Sequence, residues 1–210
     1  MTKEKLLFNI KYFAMKKLFL SLVIVAFVLP LAAQKWAKNF DFVNECICGM
    51  SLVGKNKLYG YVDKAGNIVL PLEYNEGLTF NEGYSAVRKG DKWAFLDSTG
   101  KFVTGFDYID VLGFNEGMAP AKKSSGWGFV DTLGKETINF QYTNARKFTE
   151  GLAAVSNKGK EFWGFINKHG EVIIPFTLDF ADSFDENGEA RVMKRGQMMW
   201  INEVGDKVRE

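Results

Sequence analysis

The carboxylates best placed to do chemistry in this chain recur at a nearly fixed spacing. Glu82, Glu116, Glu150 and Glu186 each precede a glycine or an Asn-Gly pair. A carboxylate can act as a general acid or base when a cleft holds it near its target. Recurrence along the chain is weak support for one active site, because an active site needs only one such group. We therefore expect these glutamates to be structural and to bind backbone amides of the adjacent unit.

A second set of acidic residues opens short segments that end in glycine. Asp63, Asp97 and Asp131 hold this place, and Asn167 and Asn202 take it later in the chain. Calcium sites need a dense ladder of oxygen ligands, whereas each of these aspartates stands nearly alone. An Asp or Asn side chain can instead bond the backbone two residues on and so close a turn. Turn capping accounts for all five residues, and no metal site is expected.

The remaining reactive side chains are Cys46, Cys48 and His169. A disulfide across one intervening residue is strained, and a metal site would need further ligands. We expect the two cysteines to be small apolar residues on one face of a strand, with pairing to another molecule left open in an oxidising compartment. His169 occupies a turn position that varies between copies, which is a poor place for a general base. The sequence thus predicts no enzymatic activity and no cofactor.

These residues belong to one sequence motif that the chain repeats about five times. The segment from Trp93 to Gly100 returns at 127–134 and 163–170, with a variant copy at 59–66 and a degraded copy ending at Gly205. The turn glycines are 34 residues apart from Gly66 to Gly100, and 34 to 36 apart afterwards. The Phe80, Phe114, Phe148 and Phe184 series follows the same period. The repeat signature comprises Tyr59, Gly60, Asp63, Gly66, Glu82, Gly83, Trp93, Asp97, Gly100, Glu116, Gly117, Trp127, Gly128, Asp131, Gly134, Glu150, Gly151, Trp163, Gly164, Asn167 and Gly170.

The repeat resembles the bacterial WG repeat family. The nearest match runs from Trp163 to Val192, where Trp-Gly-Phe-Ile-Asn-Lys is followed by Phe184 and a Glu-Ala-Arg-Val string. The resemblance covers roughly residues 55–208 and implies a β-rich repeat module without general enzymatic activity, which mediates interactions. Tyr59 and Met198 stand at tryptophan positions, and Ala94 replaces the glycine.

Each repeat contains three segments of strand character. Examples are 84–89, 93–96 and 68–70, which are rich in aromatic and β-branched residues and bounded by turn residues. Alternation along the second segment puts Trp127 and Phe129 on one face, with Gly128 opposite to allow a close approach. We therefore predict an all-β fold of three-stranded antiparallel meanders, stacked as an open β-hairpin array. A closed, propeller-like ring is the alternative.

The repeats also set the domain boundaries. Residues 1–33 form an N-terminal extension and leader, residues 34–46 a short lead-in, and residues 47–210 the repeat domain. The domain opens with a partial unit, because residues 47–53 align with 81–87.

The start of the chain predicts export. Residues 15–34 combine two lysines, an apolar run and a small-residue site with predicted cleavage after Ala33, which is typical of a secretory signal peptide. The apolar run is shorter than the ~20 residues of a membrane span. Removing residues 1–33 changes the net charge from +2 to −2, with 22 basic and 24 acidic residues left. No basic patch remains that would favour nucleic acid.

We expect a periplasmic or extracellular module that binds an unknown protein partner through equivalent positions of successive repeats. Carbohydrate or cell-wall binding is the alternative, because exposed aromatic rings can stack on sugars. That alternative depends on exposure of Trp93, Trp127 and Trp163. An enzyme built on the connector glutamates is the third and weakest hypothesis.

Overall fold

A computed structural model describes residues 35–159 and 161–210 of the 210-residue chain. The expected leader and its cleavage after Ala33 lie outside the described residues. A short 3-10 helix, Ala37–Asn39, precedes the strands.

The strands form five antiparallel sheets, numbered here in chain order. Sheet 1 contains β1 (Phe42–Val43), β2 (Met50–Lys55), β3 (Leu58–Asp63) and β4 (Ile68–Tyr74). Sheet 2 contains β5 (Glu76–Gly77), β6 (Tyr84–Lys89) and β7 (Lys92–Asp97). Sheet 3 contains β8 (Asp110–Val111), β9 (Met118–Lys123), β10 (Gly126–Asp131) and β11 (Glu136–Tyr142). Sheet 4 contains β12 (Asn144–Ala145), β13 (Leu152–Ser156), β14 (Trp163–Asn167) and β15 (Val172–Leu178). Sheet 5 contains β16 (Phe180–Phe184), β17 (Ala190–Lys194), β18 (Gln197–Ile201) and β19 (Lys207–Arg209).

The predicted three-stranded meander forms the body of sheets 1, 3, 4 and 5, and the connectors between repeats each add one more strand. The connectors contribute β5, β8, β12 and β16, which pair with the first strand of the following meander. We call these four the connector strands. The sequence did not predict them, since three of the four are only two residues long and too short to show a period of two.

Sheet 2 departs from the other four because its third meander strand is missing. Between 98 and 109 the chain makes only isolated bridges, Leu96 to Phe102 and Trp93 to Tyr108. This is the repeat in which Ala94 replaces glycine. In sheet 3 a Cβ on Gly128 would lie 2.6 Å from the carbonyl oxygen of Ile138 in the neighbouring strand. A regular third strand approaches this closely only where the residue has no side chain.

The core lies between consecutive sheets and is built from paired rings. Each phenylalanine of the Phe80 series packs on the ring at the centre of the preceding repeat's second strand. The four ring centroid distances are 4.9 Å for Tyr61–Phe80, 5.0 Å for Phe95–Phe114, 4.9 Å for Phe129–Phe148 and 4.8 Å for Phe165–Phe184. A fully buried ring of this size contributes about 1.5–3 kcal/mol, and the same ring pair recurs at each junction within a larger cluster of buried apolar side chains.

The sheets contact one another in chain order, β3 with β5, β7 with β8, β10 with β12 and β13 with β16. The fold is therefore the open array of stacked meanders that the repeats predict.

Candidate functional site

The turn aspartates bind backbone amides of their own turns. Asp97 Oδ1 accepts hydrogen bonds from the N–H groups of Thr99 at 2.8 Å and Lys101 at 3.1 Å. Hydrogen bonds from the Thr99 hydroxyl and from these amides hold the pKa of Asp97 below its ordinary value. Asn167 makes the same two backbone bonds with a neutral side chain. Within residues 35–159 and 161–210, no group of three or more His, Cys, Asp or Glu side chains could hold a metal ion.

Two of the repeated glutamates join one repeat to the next. Glu82 accepts hydrogen bonds from the N–H groups of Glu116 at 2.7 Å and Gly117 at 2.8 Å. Glu116 in turn accepts one from the N–H of Gly151 at 3.0 Å and lies 3.2 Å from Lys168 Nζ. We call this arrangement the glutamate clasp. The predicted contact with backbone amides of the adjacent unit is thus made by Glu82 and Glu116, and neither Glu150 nor Glu186 makes it among the described residues.

The clasp does not extend to both ends of the array. Glu186 lies in a different kind of turn, which Asp185 caps by accepting from the N–H groups of Asn187 and Glu189. At the other end, Cys48 takes the position of Glu82 and shares its positive φ, 53° against 52°. The prediction that both cysteines lie on one strand face is wrong. Neither is in a strand, because the chain turns at Cys48, whose side chain is exposed.

His169 is exposed in the turn that Asn167 caps, and its backbone N–H donates to Asn167 Oδ1 at 3.0 Å. Its place in the structure is the turn that the sequence predicts.

The structure brings other equivalent positions together in a groove of about 630 Å³. The connector strands β8 and β12 and the segments that follow them line the groove, together with Ser183 of β16. Four pairs of lining residues occupy equivalent places in successive repeats: Asp110 and Asn144, Leu112 and Arg146, Asn115 and Thr149, and Trp127 and Trp163. We call it the repeat groove.

One wall of the repeat groove is an arginine laid on aromatic rings. The guanidinium carbon of Arg146 lies 5.3 Å from the Trp163 ring centroid and 5.2 Å from that of Phe180. Arg146 Nε donates to the carbonyl oxygen of Ala181 at 2.7 Å, and one terminal nitrogen lies 3.2 Å from Asp182 Oδ1. These contacts fix the direction of the guanidinium before any ligand arrives.

The groove also holds polar atoms with spare bonding capacity. The Thr149 hydroxyl oxygen is buried and has no hydrogen-bond partner among the described residues. Asn144 uses its amide nitrogen to reach Ser156 Oγ at 3.1 Å, which leaves its carbonyl oxygen as an acceptor.

The tryptophans contribute little open ring surface. Trp93 and Trp127 are buried, with 6% and 8% of their surface exposed. Trp163 is half-buried beneath Arg146. The exposed aromatic ladder on which the carbohydrate hypothesis depends is therefore absent at Trp93 and Trp127.

Sequence reasoning missed the groove because its lining residues other than Trp127 and Trp163 lie outside the repeat signature. The residue two before each phenylalanine of the Phe80 series is Leu78, Leu112, Arg146 and then Asp182. The change from an apolar to a charged side chain at this one repeat position was the sequence feature that could have indicated the groove.

In the described parts of the chain, no helix has the length and apolar character to cross a bilayer.

A family model described as "WG containing repeat" matches residues 59–93, 94–125, 127–160 and 163–197, well over half of the chain. A comparison of this chain with curated proteins found no match.

Several solved structures are similar in fold. Kluyveromyces lactis Hsv2 shares 10% identity at a TM-score of 0.51, over 77% of this chain and 59% of that one. A eukaryotic initiation factor shares 9% identity at a TM-score of 0.53, over 79% of this chain and 53% of that one. The chain spans about three fifths of the length of the first solved structures it matches, at 60% and 59%. At these identities the likeness shows the fold alone.

Proposed function

Because this chain belongs to the WG repeat family, we propose that it is a non-catalytic binding module that holds a segment of another protein in the repeat groove. One observation carries the proposal. Equivalent positions of successive repeats, which are far apart in sequence, converge on a single groove with both apolar and polar walls.

The size and lining of the groove support a ligand of limited length. Ligand sites commonly occupy about 300–1,000 Å³ and combine apolar walls with a few fixed polar groups. Leu112 and the small exposed part of Trp127 supply apolar surface, while Asn144 and Arg146 supply donors and acceptors. An extended peptide presents both kinds of surface along its length, because side chains alternate with backbone amides.

The leader-like residues 15–34 support export of this module to the periplasm or outside the cell. Once the leader is removed, the chain carries a net charge of −2 and so has no general attraction for nucleic acid.

The proposal is tested by selecting displayed random peptides on the full chain and measuring their binding to two tryptophan variants. Ser183→Trp fills the edge of the groove, whereas Thr177→Trp places the same ring at an exposed site of β15 outside it. We expect selected peptides to bind the wild-type chain and the Thr177→Trp variant with equal affinity. They should not bind the Ser183→Trp variant. If no peptide is enriched, or if Ser183→Trp binds undiminished, the proposal is wrong. Binding of glycans on an array would then favour the carbohydrate alternative.

A further inference from the structure

We infer that the repeat groove selects a protein segment carrying an acidic side chain, and that Arg146 and Lys147 determine this choice. The inference rests on the proposed function and names the chemistry of its partner.

The charges in and beside the groove are unbalanced. Asp182 is shared by Arg146 and Arg191, at 3.2 Å and 2.8 Å. The Asp110 carboxylate accepts a hydrogen bond from the N–H of Val111. Lys147 lines the groove without an ion pair in the described structure, so Arg146, Lys147 and Arg191 outnumber Asp110 and Asp182. A surplus of positive charge remains, and it favours an anionic group.

Arg146 has hydrogen-bond donors free to bind an anionic group. Its guanidinium carries five donors, and the contacts to Ala181 and Asp182 use only the Nε group and one terminal nitrogen. The other terminal nitrogen has no acceptor among the described residues. A guanidinium that already lies over two rings loses little freedom on binding, and a carboxylate is the group that it matches best.

Lys147 extends towards the preceding repeat. A Cβ added to Gly113 would lie 3.3 Å from Lys147 Nζ. The ammonium group of Lys147 therefore lies beside Gly113, the residue that follows Leu112. The two cations therefore line the same groove as the apolar side chain of Leu112. This arrangement fits a segment in which a carboxylate and an apolar side chain are close neighbours.

The preference is specific to this junction of the array. The two positions read Leu-Thr at 78–79, Leu-Gly at 112–113, Arg-Lys at 146–147 and Asp-Ser at 182–183. The chain thus supplies its own tolerated replacements. Arg146→Leu installs the residue of the preceding repeat, and Lys147→Ser installs that of the following one.

The test is display selection on the full chain, followed by affinity measurements on synthetic versions of the enriched peptides. Each peptide is paired with a version in which Gln replaces Glu and Asn replaces Asp. The proteins compared are the wild-type chain, Arg146→Leu, Lys147→Ser and Lys92→Ser. The last removes one positive charge from an exposed position of β7 outside the groove.

We expect an acidic residue at a fixed position in the enriched peptides, and about tenfold weaker binding when it is neutralised. Arg146→Leu and Lys147→Ser should each reduce the difference in affinity between an acidic peptide and its neutralised version, whereas Lys92→Ser should leave that difference unchanged. Added salt should weaken the binding of the acidic peptides. Enriched peptides that occupy the groove without acidic residues would overturn the inference and leave the proposed function standing. Failure to enrich any peptide would overturn both.

Discussion

The carboxylate of Glu82 accepts a hydrogen bond from the backbone N–H of Gly117, 35 residues farther along the chain, at 2.8 Å. The bond joins one repeat to the next through a side chain and a main-chain group. In a repeat array the stability is the sum of the units and of the interfaces between neighbours. The glutamate clasp contributes directly to the interface part.

Glu82→Gln should weaken the junction between the units that the clasp joins. Glutamine keeps one acceptor oxygen but places an N–H₂ group against one of the two amides that Glu82 binds. We expect a loss of about 1 kcal/mol, since the bonds are charge-assisted but lie at the surface. For a domain of this size this is a fall of roughly 2–4 °C in Tm, measured by thermal unfolding.

The matched control is Glu150→Gln. Glu150 has a similar positive φ, 51° against 52°, but its side chain makes no hydrogen bond to the next repeat among the described residues. Equal melting temperatures for the two variants would show that the clasp adds nothing to stability.

The fold could be predicted largely from the sequence because its determinants are local and repeated. A turn aspartate, a turn glycine and an alternating strand recur in each unit, so each copy supports the others. The connector strands and the groove were beyond reach for a different reason. They depend on which positions of separate repeats come together, and the repeated motif does not state that. Ala94 illustrates both cases. The replacement of glycine by alanine is visible in the sequence, whereas the missing third strand of sheet 2 is visible only in the structure.

Gly128→Ala should destabilise sheet 3. A Cβ there would lie 2.6 Å from the carbonyl oxygen of Ile138 and 3.0 Å from Phe140 Cα, and these backbone atoms cannot move independently. We expect a cost of about 2 kcal/mol, as for other substitutions that overpack a well-packed site. The measurement is the urea midpoint at constant slope.

Gly113→Ala provides the control for Gly128→Ala. Its Cβ would meet only the flexible end of Lys147, at 3.3 Å. Comparable losses in the two variants would mean that close backbone approach is not what requires glycine after the tryptophan.

Acid should destabilise the turns that aspartate caps. Hydrogen bonding holds the pKa of Asp97 below its ordinary value of 3.8, with the Thr99 hydroxyl as the largest cause. The pKa values of Asp63 and Asp185 are lowered as well, mainly by bonds from Asn67 and Glu189. A carboxylate with a lowered pKa stabilises the folded state above its unfolded pKa. That contribution disappears as the pH falls through the folded pKa.

The triple variant Asp63→Asn, Asp97→Asn, Asp185→Asn should fold, because Asn167 and Asn202 already cap the same turn. We expect its Tm to fall less than that of the wild-type chain between about pH 4 and pH 2. Parallel curves for the two proteins would show that these turns do not contribute to the acid response.

Tyr61→Phe should test the polar contact buried between sheets 1 and 2. The Tyr61 hydroxyl donates to the carbonyl oxygen of Leu78 at 2.6 Å and lies 2.8 Å from Ser85 Oγ. Ser85 Oγ also donates to Leu78 at 2.7 Å, so that carbonyl keeps one bond in the variant. We therefore expect a cost of only about 1 kcal/mol at neutral pH. A double-mutant cycle with Ser85→Ala measures how much of this loss comes from the contact between the two hydroxyl groups.

The same variant should alter the response to alkali. Burial raises the pKa of Tyr61 above its ordinary value of 10.0, so the folded state favours the protonated phenol. Its contribution is complete below about pH 10 and declines as the pH rises towards the folded pKa. Burial also raises the pKa of Tyr108 to about 12, so part of the alkaline loss should remain in Tyr61→Phe. Unfolding in urea at about pH 8 and pH 11 should show a smaller drop for the variant than for the wild-type chain. An equal drop would mean that Tyr61 ionises as readily in the folded protein as in the unfolded one.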